Sequence, residues 1–310
     1  MNAPAPTTSV HRLDPSKVLV GANPIIWSND DFVELNGDLP LDDLLADMRR
    51  AGFVGSELGH AYPRTPDALG AALARHELRL VSGWHSTYFA TKDKSAELDA
   101  LDAHCALLTA LGASVAIVAE CSHCLHGDRD APLGYANHDR PVLSADEWSR
   151  LLDGMNAATA VAERHGLRLV YHHHMGTVIQ TEEELDRLLD NAPDLDLVLD
   201  PGHLAFAGLD PVATLDRHAS RVRHAHLKSV RAEVAERARA ENWSFHRAVC
   251  SGVFTIPGDG MVDFPAIFDR LAALDYSGWL VVEAEEDPNL VPPLPKAIKA
   301  RDYVRTHTKL

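Results

Sequence analysis

Short apolar runs alternate along the chain with longer segments whose apolar residues recur at helical spacing. Short runs rich in Val, Leu and Ile are typical of buried strands, and longer periodic segments are typical of amphipathic helices. The pattern therefore predicts eight strands separated by helical segments. The strands are predicted at residues 17–23, 52–58, 78–84, 113–119, 167–173, 195–200, 222–227 and 278–284.

Several helical segments carry recognisable start signals. A Ser or Thr followed three residues later by Glu is the signature of a capping box, in which the two residues satisfy each other's backbone N–H groups. Two segments begin in this way: Ser144 with Glu147 opens residues 144–166, and Thr181 with Glu184 opens residues 181–191. Helices are also predicted at residues 40–52, which end in a glycine, and at 263–278, which begin at an Asp cap.

Eight strands that each precede a helical pattern predict the α/β class and a single (β/α)8 TIM barrel, over residues 17–310. A doubly wound sheet would carry a Gly-rich phosphate turn after its first strand, and the sequence VGANPIIWSNDD at residues 20–31 is not one. Residues 1–16 are expected to form a flexible lead-in. The long connections at 120–143 and 228–262 follow strand ends, where barrel sites are built.

Charge and composition limit the function. The formal net charge of −16 disfavours binding to a nucleic-acid backbone, which needs clustered Lys and Arg. No apolar run approaches the roughly 20 residues of a membrane span, and residues 1–16 lack the apolar centre of a secretory signal. Four cysteines among 310 residues do not make a small disulfide scaffold. We therefore expect a cytoplasmic protein that acts on a small molecule, away from nucleic acid and membranes.

Polar residues collect at the carboxyl ends of the predicted strands, which share one face of a barrel. These residues are Glu57, Glu120, His172, His174, Asp200, His203, His224, His226, Lys228, Glu283 and Glu285. Imidazole and carboxylate groups from several strands are what a divalent metal needs, and mixed N/O ligation suits Mn, Co, Fe or Zn better than Mg or Ca. The pattern predicts a metal site on this face.

Three consecutive histidines follow the fifth predicted strand. Because a strand alternates its faces, His172 and His174 are expected to point to the barrel axis and His173 to pack outward.

Two other motifs have simpler interpretations. The sequence CSHCLHG at 121–127 has one C-x2-C pair, and without a second pair we favour ordinary thiols over structural zinc. The Pro-Gly-Asp-Gly within residues 254–264 is either a tight turn or a segment that closes over a ligand.

The chain resembles the inosose (2-keto-myo-inositol) dehydratases, a family of xylose isomerase-like sugar isomerase/epimerase barrels. The resemblance covers about residues 18 to 306. It is carried by GANPIIWSNDD, AGFVGSELG, YHHHMGTVIQTEEE, DPGH, HAHLKSVR, FTIPGDGMVDF and GWLVVEAEEDP, in family order.

The resemblance implies a metal held by one residue from each of strands five to eight. Asp200, His226 and Glu283 match three ligands of the wider superfamily, and His203 matches a substrate-contacting histidine. His172 stands where the epimerases have a Glu that also exchanges protons with the substrate, which disfavours a two-base epimerase mechanism. Whether His172 or His174 is the fourth ligand stays open.

The implied activity is loss of water from scyllo-inosose, which gives 3D-(3,5/4)-trihydroxycyclohexane-1,2-dione in myo-inositol catabolism. The resemblance implies Mn²⁺ or Co²⁺, and it alone implies glutathione. The substrate would be a small polyol ketone, and the chain a possible homo-oligomer. The alternatives are a ketose or inosose isomerase or epimerase on the same barrel and a non-catalytic sugar-binding protein. A DNA-repair nuclease is disfavoured by the net charge.

In such a reaction a metal would polarise the ketone, a base would remove the α-proton, and a second group would protonate the departing β-hydroxyl. Glu283 or a strand-five histidine is the expected base. His174, His203 and Lys228 are candidates for the acid. Contacts to the polyol are expected from Glu57, Trp27, Asn29, Glu120 and Arg231, with Trp84 and Asp30 beside them.

Overall fold

The computed structural model describes residues 12–30, 32, 34–135 and 140–310. The barrel strands are β1 (Val18–Ala22), β2 (Gly55–Leu58), β3 (Arg79–Thr87), β4 (Val115–Glu120), β5 (Arg168–His172), β6 (Asp196–Leu199), β7 (Val222–Leu227) and β10 (Gly278–Val282). These eight parallel strands close into a barrel in the order β1-β10-β7-β6-β5-β4-β3-β2, which confirms the predicted fold class. All eight predicted strands are present.

Helices follow the strands and surround the barrel. They are α1 (Leu41–Ala51), α2 (Pro66–Arg75), α3 (Lys94–Ala110), α4 (Ala145–Arg164), α5 (Glu182–Asn191), α6 (Pro201–Ala207), α7 (Pro211–Arg217), α8 (Ala232–Ala240), α9 (Phe245–Cys250), α10 (Phe264–Ala273) and α11 (Pro293–Thr308). Both predicted capping boxes form, at the start of α4 and of α5. Asp263 caps α10 through the backbone N–H of Ala266, 3.1 Å away. None of the helices in the described part of the chain is long and apolar enough to cross a membrane.

The two long connections differ in structure. Residues 228–262 contain α8, α9 and a short antiparallel ribbon of β8 (Ser229–Val230) and β9 (Phe254–Thr255). After Glu120, which ends β4, the described residues up to 143 form no helix or strand and make a single bridge, from Pro132 to Ser244 in the other connection. The two connections therefore meet over the carboxyl ends of the strands. Residues 1–11 of the predicted lead-in lie outside the described residues.

The barrel interior changes from apolar to polar toward the carboxyl ends of the strands. Val170, Val198 and neighbouring apolar side chains fill the lower layer, and Val281 belongs to a second small interior cluster. Side chains two residues apart share a face of a strand. Two residues further along, the same faces carry His172 on β5, Asp200 after β6 and Glu283 after β10. Strand alternation thus aims these polar groups at the barrel axis.

Candidate active site

A cavity of about 230 Å³ opens at the carboxyl ends of the barrel strands. Its lining includes Glu57, Trp84, His172, His174, His226 and Glu283. Active sites of (β/α)8 barrels lie on this face, because loops of variable sequence converge there on a rigid scaffold. The cavity contains enough imidazole and carboxylate groups for metal binding and for proton transfer.

Four of its groups form a compact ligand set. One ligand atom each of His172, Asp200, His226 and Glu283 lies within 4.8 Å of the other three. His172 Nε2 lies 3.3 Å from Asp200 Oδ2, and His226 Nδ1 lies 2.6 Å from Glu283 Oε2. All four side chains are buried. The four groups come from consecutive barrel strands, β5, β6, β7 and β10.

The residues present fit a divalent metal. Asp200 Oδ2 is buried and accepts no well-formed hydrogen bond from the described residues, although it faces His172 Nε2 and lies 3.4 Å from His226 Nδ1. A buried carboxylate oxygen without a donor is costly unless a cation compensates it. Two imidazoles and two carboxylates make a mixed donor set that suits Mn, Co, Fe or Zn.

Glu57 lies beneath this set and orients it. Its Oε1 lies 2.8 Å from His224 Nε2 and 3.2 Å from His226 Nε2. Ser82 Oγ and Asn23 Nδ2 donate to the two carboxylate oxygens at 2.6 and 2.7 Å. A carboxylate on one imidazole nitrogen leaves the other free to face a metal and fixes the ring. Glu57 therefore acts here as an orienting group for His226.

The ionisable groups of the cluster lie close enough to shift one another's pKa values. Burial alone would raise the pKa of Asp200, but the charge of Lys228 and the surrounding imidazoles outweigh burial and hold that pKa well below its usual range. Burial would lower the pKa of His226, but Glu57 and Glu283 hold it well above its usual range. Asp200 is therefore ionised, and a metal would compete with a proton for His226 Nδ1.

Lys228 is a fully buried cation between two carboxylates. Its Nζ lies 2.6 Å from Glu283 Oε1 and 2.7 Å from Glu285 Oε1, and 2.9 Å from His203 Nε2. Burial opposes its charge, but Glu283 and Glu285 raise its pKa above the usual value. The stem packs on Gly202, where a Cβ would meet Lys228 Cγ at 2.6 Å. The ammonium group fixes both carboxylates.

The three consecutive histidines have different surroundings. His172 and His174 line the cavity, whereas the Nε2 of His173 lies 2.7 Å from the backbone oxygen of Gln180, outside the cavity lining. His174 Nδ1 donates to the backbone oxygen of Met175 at 2.7 Å, which leaves Nε2 with a lone pair. Burial, and then the proximity of His203, lower the pKa of His174 well below its usual range. His174 is thus a neutral imidazole.

The structure does not bring every expected residue to the cavity. Glu120 is buried and accepts hydrogen bonds from Thr87 Oγ1 and from the backbone N–H groups of Phe89 and Ala90. Val115 and Ile117 of the same strand face the barrel interior, so alternation turns Glu120 toward the helices. The cavity lining does not include it, and Glu120 holds the loop after β3 in place.

Three further residues expected to contact the substrate also lie away from the cavity. Trp27 is buried in the core. The Asn29 side chain accepts from the backbone N–H of Phe32 at 2.8 Å. Arg231 donates to Glu286 Oε1 at 2.7 Å and to two backbone oxygens of the segment that contains β9. Core packing holds Trp27, and these hydrogen bonds hold Asn29 and Arg231. The proposed site does not include the three residues.

Sequence reasoning missed two residues at the cavity mouth, His60 and Arg64, which lie in the loop after β2. His60 Nδ1 lies 2.6 Å from Asp30 Oδ1, and Asp30 also lines the cavity. Burial opposes protonation of His60, but Asp30 raises its pKa above the usual value. In the sequence, only the position of His60 and Arg64 just after a strand points to the cavity. Residues in loops of any function also occupy such positions.

The Pro-Gly-Asp-Gly segment forms a turn in the structure, away from the cavity lining. Asp259 of this segment lies 3.0 Å from Lys296 Nζ and 2.7 Å from Lys299 Nζ, both on α11. Gly258 has a φ of +85°, and a Cβ there would meet Tyr303 at 2.3 Å. The segment therefore connects the ribbon to α11.

Known proteins resemble the chain over nearly its whole length. A family model described as xylose isomerase-like TIM barrel matches residues 45–307. Inosose dehydratase of Geobacillus thermodenitrificans (strain NG80-2) is 43% identical over 292 residues, which cover 94% of this chain and 97% of that protein. Inosose dehydratase of Clostridium perfringens (strain 13 / Type A) is 40% identical over 297 residues, which cover 95% of this chain and 99% of that protein.

Solved structures support the fold. A structure of L-ribulose 3-epimerase superposes with a TM-score of 0.66 at 18% identity, and the match covers 94% of this chain and 95% of that chain. The probable 3-DHS dehydratase AsbF from Bacillus anthracis superposes with a TM-score of 0.68 at 15% identity, over 93% of this chain and 98% of that chain. The curated relatives are much more similar, and they decide the assignment. The chain belongs to the inosose dehydratase family of xylose isomerase-like TIM barrels.

Proposed function

We propose that the chain is a metal-dependent hydro-lyase that removes water from scyllo-inosose and yields 3D-(3,5/4)-trihydroxycyclohexane-1,2-dione. The observation that carries the proposal is the ligand set of His172, Asp200, His226 and Glu283 next to the neutral imidazole of His174. The curated relatives carry the name inosose dehydratase. A metal site and a proton-transfer group side by side are what elimination from a polyol ketone needs.

The proposed metal ligands are His172, Asp200, His226 and Glu283. A divalent ion bound there would polarise the ketone and stabilise the negative charge that develops when the α-proton leaves. Lys228 holds Glu283 and Glu285 in place. Glu57 keeps the His226 ring turned toward the other ligands. The family resemblance suggests Mn²⁺ or Co²⁺ as the ion and glutathione as a further requirement.

We assign proton transfer to His174. Its Nε2 has a lone pair, because Nδ1 donates to the backbone of Met175, and the ring lines the cavity. Nε2 accepts the α-proton, and the imidazolium formed then donates this proton to the departing β-hydroxyl, so that water leaves. His203, whose ring centroid is 3.9 Å away, disfavours a lasting positive charge on His174, so the imidazolium gives up its proton readily. One group thus takes and returns the same proton, and the enol left behind tautomerises to the dione.

An activity assay tests the reaction. The protein is purified without metal and supplied with Mn²⁺ or Co²⁺ and scyllo-inosose, at several glutathione concentrations, while diketone absorbance is followed. We expect absorbance to rise only when metal is present. An isomerised or epimerised product that retains all its oxygen would contradict the dehydratase assignment, and so would the absence of any metal-dependent change.

Metal content tests the ligands separately from the reaction. Asp200→Ala and His226→Ala should each lose bound metal, because each removes one donor from a four-donor set. His173→Asn is the matched control, since His173 is a neighbouring buried histidine outside the cavity lining, and it should retain metal. Elemental analysis after gel filtration measures the content. Full metal occupancy in both ligand variants would show that the ion binds elsewhere.

His174 has its own test. His174→Gln should retain metal and lower kcat by about 10²- to 10⁴-fold, the usual contribution of general acid–base catalysis. Unchanged kcat in this variant would assign proton transfer to Glu283.

A further inference from the structure

A second cluster of potential ligands lies in the loop after β4, apart from the set described above. Cys121 Sγ, Cys124 Sγ and one ring nitrogen of His126 lie within 4.8 Å of one another. Neither cysteine is in a disulfide, and Cys121 is buried while Cys124 is half-buried. His126 also lines the cavity, where its ring centroid lies 4.7 Å from that of His174. The proposed dehydration mechanism uses none of these three side chains.

The backbone of this loop holds the three groups in position. The N–H of Cys124 donates to the oxygen of Cys121 at 3.2 Å and closes a turn, in which His123 has a φ of 56°. The N–H of Leu125 donates to the oxygen of Gly176 at 2.7 Å, which ties the loop to the segment after β5. A Cβ on Gly176 would meet the backbone nitrogen of His126 at 3.0 Å. The loop after β4 and the segment after β5 thus approach each other closely at His126 and Gly176.

We propose that Cys121, Cys124 and His126 bind a thiophilic divalent cation of the Zn²⁺ class. Two thiolates and one imidazole are typical zinc ligands, and a fourth position would remain for water or a ligand from the cavity. Two sulfurs at about 2.3 Å from a tetrahedral zinc ion lie about 3.8 Å apart. The three observed atoms therefore need only small movements to coordinate one ion.

The two clusters differ in the softness of their ligands. Cys121 and Cys124 offer sulfur, which binds metal as the thiolate and releases its proton on binding. The sulfur-containing cluster therefore favours Zn²⁺, whereas the oxygen-containing set of Asp200 and Glu283 accepts harder ions.

A cation in this loop would have a direct effect on the cavity. It would fix the ring of His126 against His174 and cross-link residues 121–126 of the loop after β4, whose described residues form no helix or strand. The site would therefore set the shape of one wall of the cavity without entering the reaction.

Cobalt spectroscopy distinguishes the two sites. Co²⁺ bound by thiolates gives an intense sulfur-to-cobalt charge-transfer band in the near ultraviolet, whereas the set of His172, Asp200, His226 and Glu283 contains no sulfur. Reduced, metal-free protein is titrated with Co²⁺ and then with Zn²⁺. We expect a band that saturates at one equivalent of thiolate-bound cobalt and disappears when Zn²⁺ displaces it.

Variants assign the band. Cys124→Ser should abolish it, and Cys250→Ser, which changes another half-buried cysteine, should keep it. His126→Gln should weaken Co²⁺ binding at this site at least tenfold, and circular dichroism verifies that each variant is folded. A wild-type protein without the band overturns the proposal, whatever the variants do. A band that survives Cys124→Ser, or a Cys121–Cys124 disulfide that forms while the reduced chain takes up no thiolate-bound cobalt, also overturns it.

Discussion

At the scale of single residues, the buried cation Lys228 holds two carboxylates of the candidate active site. Lys228 is 0% exposed and contacts the carboxylates of both Glu283 and Glu285. Leaving a buried charge without its partner costs far more than a surface ion pair contributes, because no water replaces the lost contact. Lys228 therefore stabilises the fold and the active site together.

Lys228→Met should lower the free energy of unfolding by about 3–5 kcal/mol, because two buried carboxylates lose their cation. It should also lower kcat, since Glu283 is no longer fixed. Urea unfolding and steady-state kinetics measure the two effects. Lys299→Met removes an exposed lysine that pairs with Asp259 and should change the stability by less than about 1 kcal/mol. Equal losses in the two variants would contradict this role of Lys228.

Residue types at the strand ends were predictable, but their partners were not. Glu57 and Glu120 both end apolar strands, and the sequence gives them the same appearance. Alternation from Val115 and Ile117 separates them, because it turns Glu120 away from the axis. That argument requires knowing which face of β4 is interior. The contacts of Trp27 and Arg231 depend on loop conformation, which apolar periodicity does not encode.

At the scale of elements, helix α5 helps to fix the segment that carries His174. Its capping box uses Thr181 and Glu184, and Glu184 also accepts from the backbone N–H of Gln180 at 2.9 Å. Gln180 in turn accepts from Gly176 and from His173. The hydrogen bonds of the α5 cap are therefore continuous with those of residues 173–180, the segment that contains His174. This connection was not visible in the sequence, although both capping boxes were.

Two matched cap variants test this connection. Thr181→Ala and Ser144→Ala each remove the side-chain acceptor of a capping box and should each cost about 1 kcal/mol of stability. Only Thr181→Ala should also lower kcat/KM, because only that cap adjoins the segment of His174. Thermal unfolding and kinetics are compared at a temperature where both variants are folded. Equal kcat/KM values in the two variants would show that the cap of α5 does not influence catalysis.

At the scale of the whole molecule, histidines that are partly shielded from water make stability depend on pH. His85 lies on β3, 5.3 Å from the ring of His104. Burial, and then the charge of His104, lower the pKa of His85 to about 4. The unfolded chain, with an ordinary histidine pKa of about 6.5, takes up this proton first as the pH falls. The contribution of His85 is therefore complete above pH 6.5 and is lost between about pH 6.5 and 4.

His85→Gln removes this titration. Its free energy of unfolding should fall less steeply than that of the wild type between pH 6.5 and 4, by at most about 1.4 kcal/mol per pH unit. Comparing the two proteins cancels the effect of the net charge of −16, which both share. Urea unfolding at several pH values gives the slopes, and His307→Gln, at an exposed position, is the control. Identical slopes for His85→Gln and the wild type would contradict the prediction.

The arrangement of β7 has a consequence for insertions and deletions. His224 contacts Glu57, His226 belongs to the ligand set, and Lys228 joins the two glutamates after β10. The three residues are spaced two apart along the chain. Their side chains therefore lie on one face of the strand, at successive levels along the barrel axis. A point substitution removes one of these groups. Deleting one residue before His224 would turn all three toward the helices at once. The length of this strand is therefore constrained as tightly as its sequence.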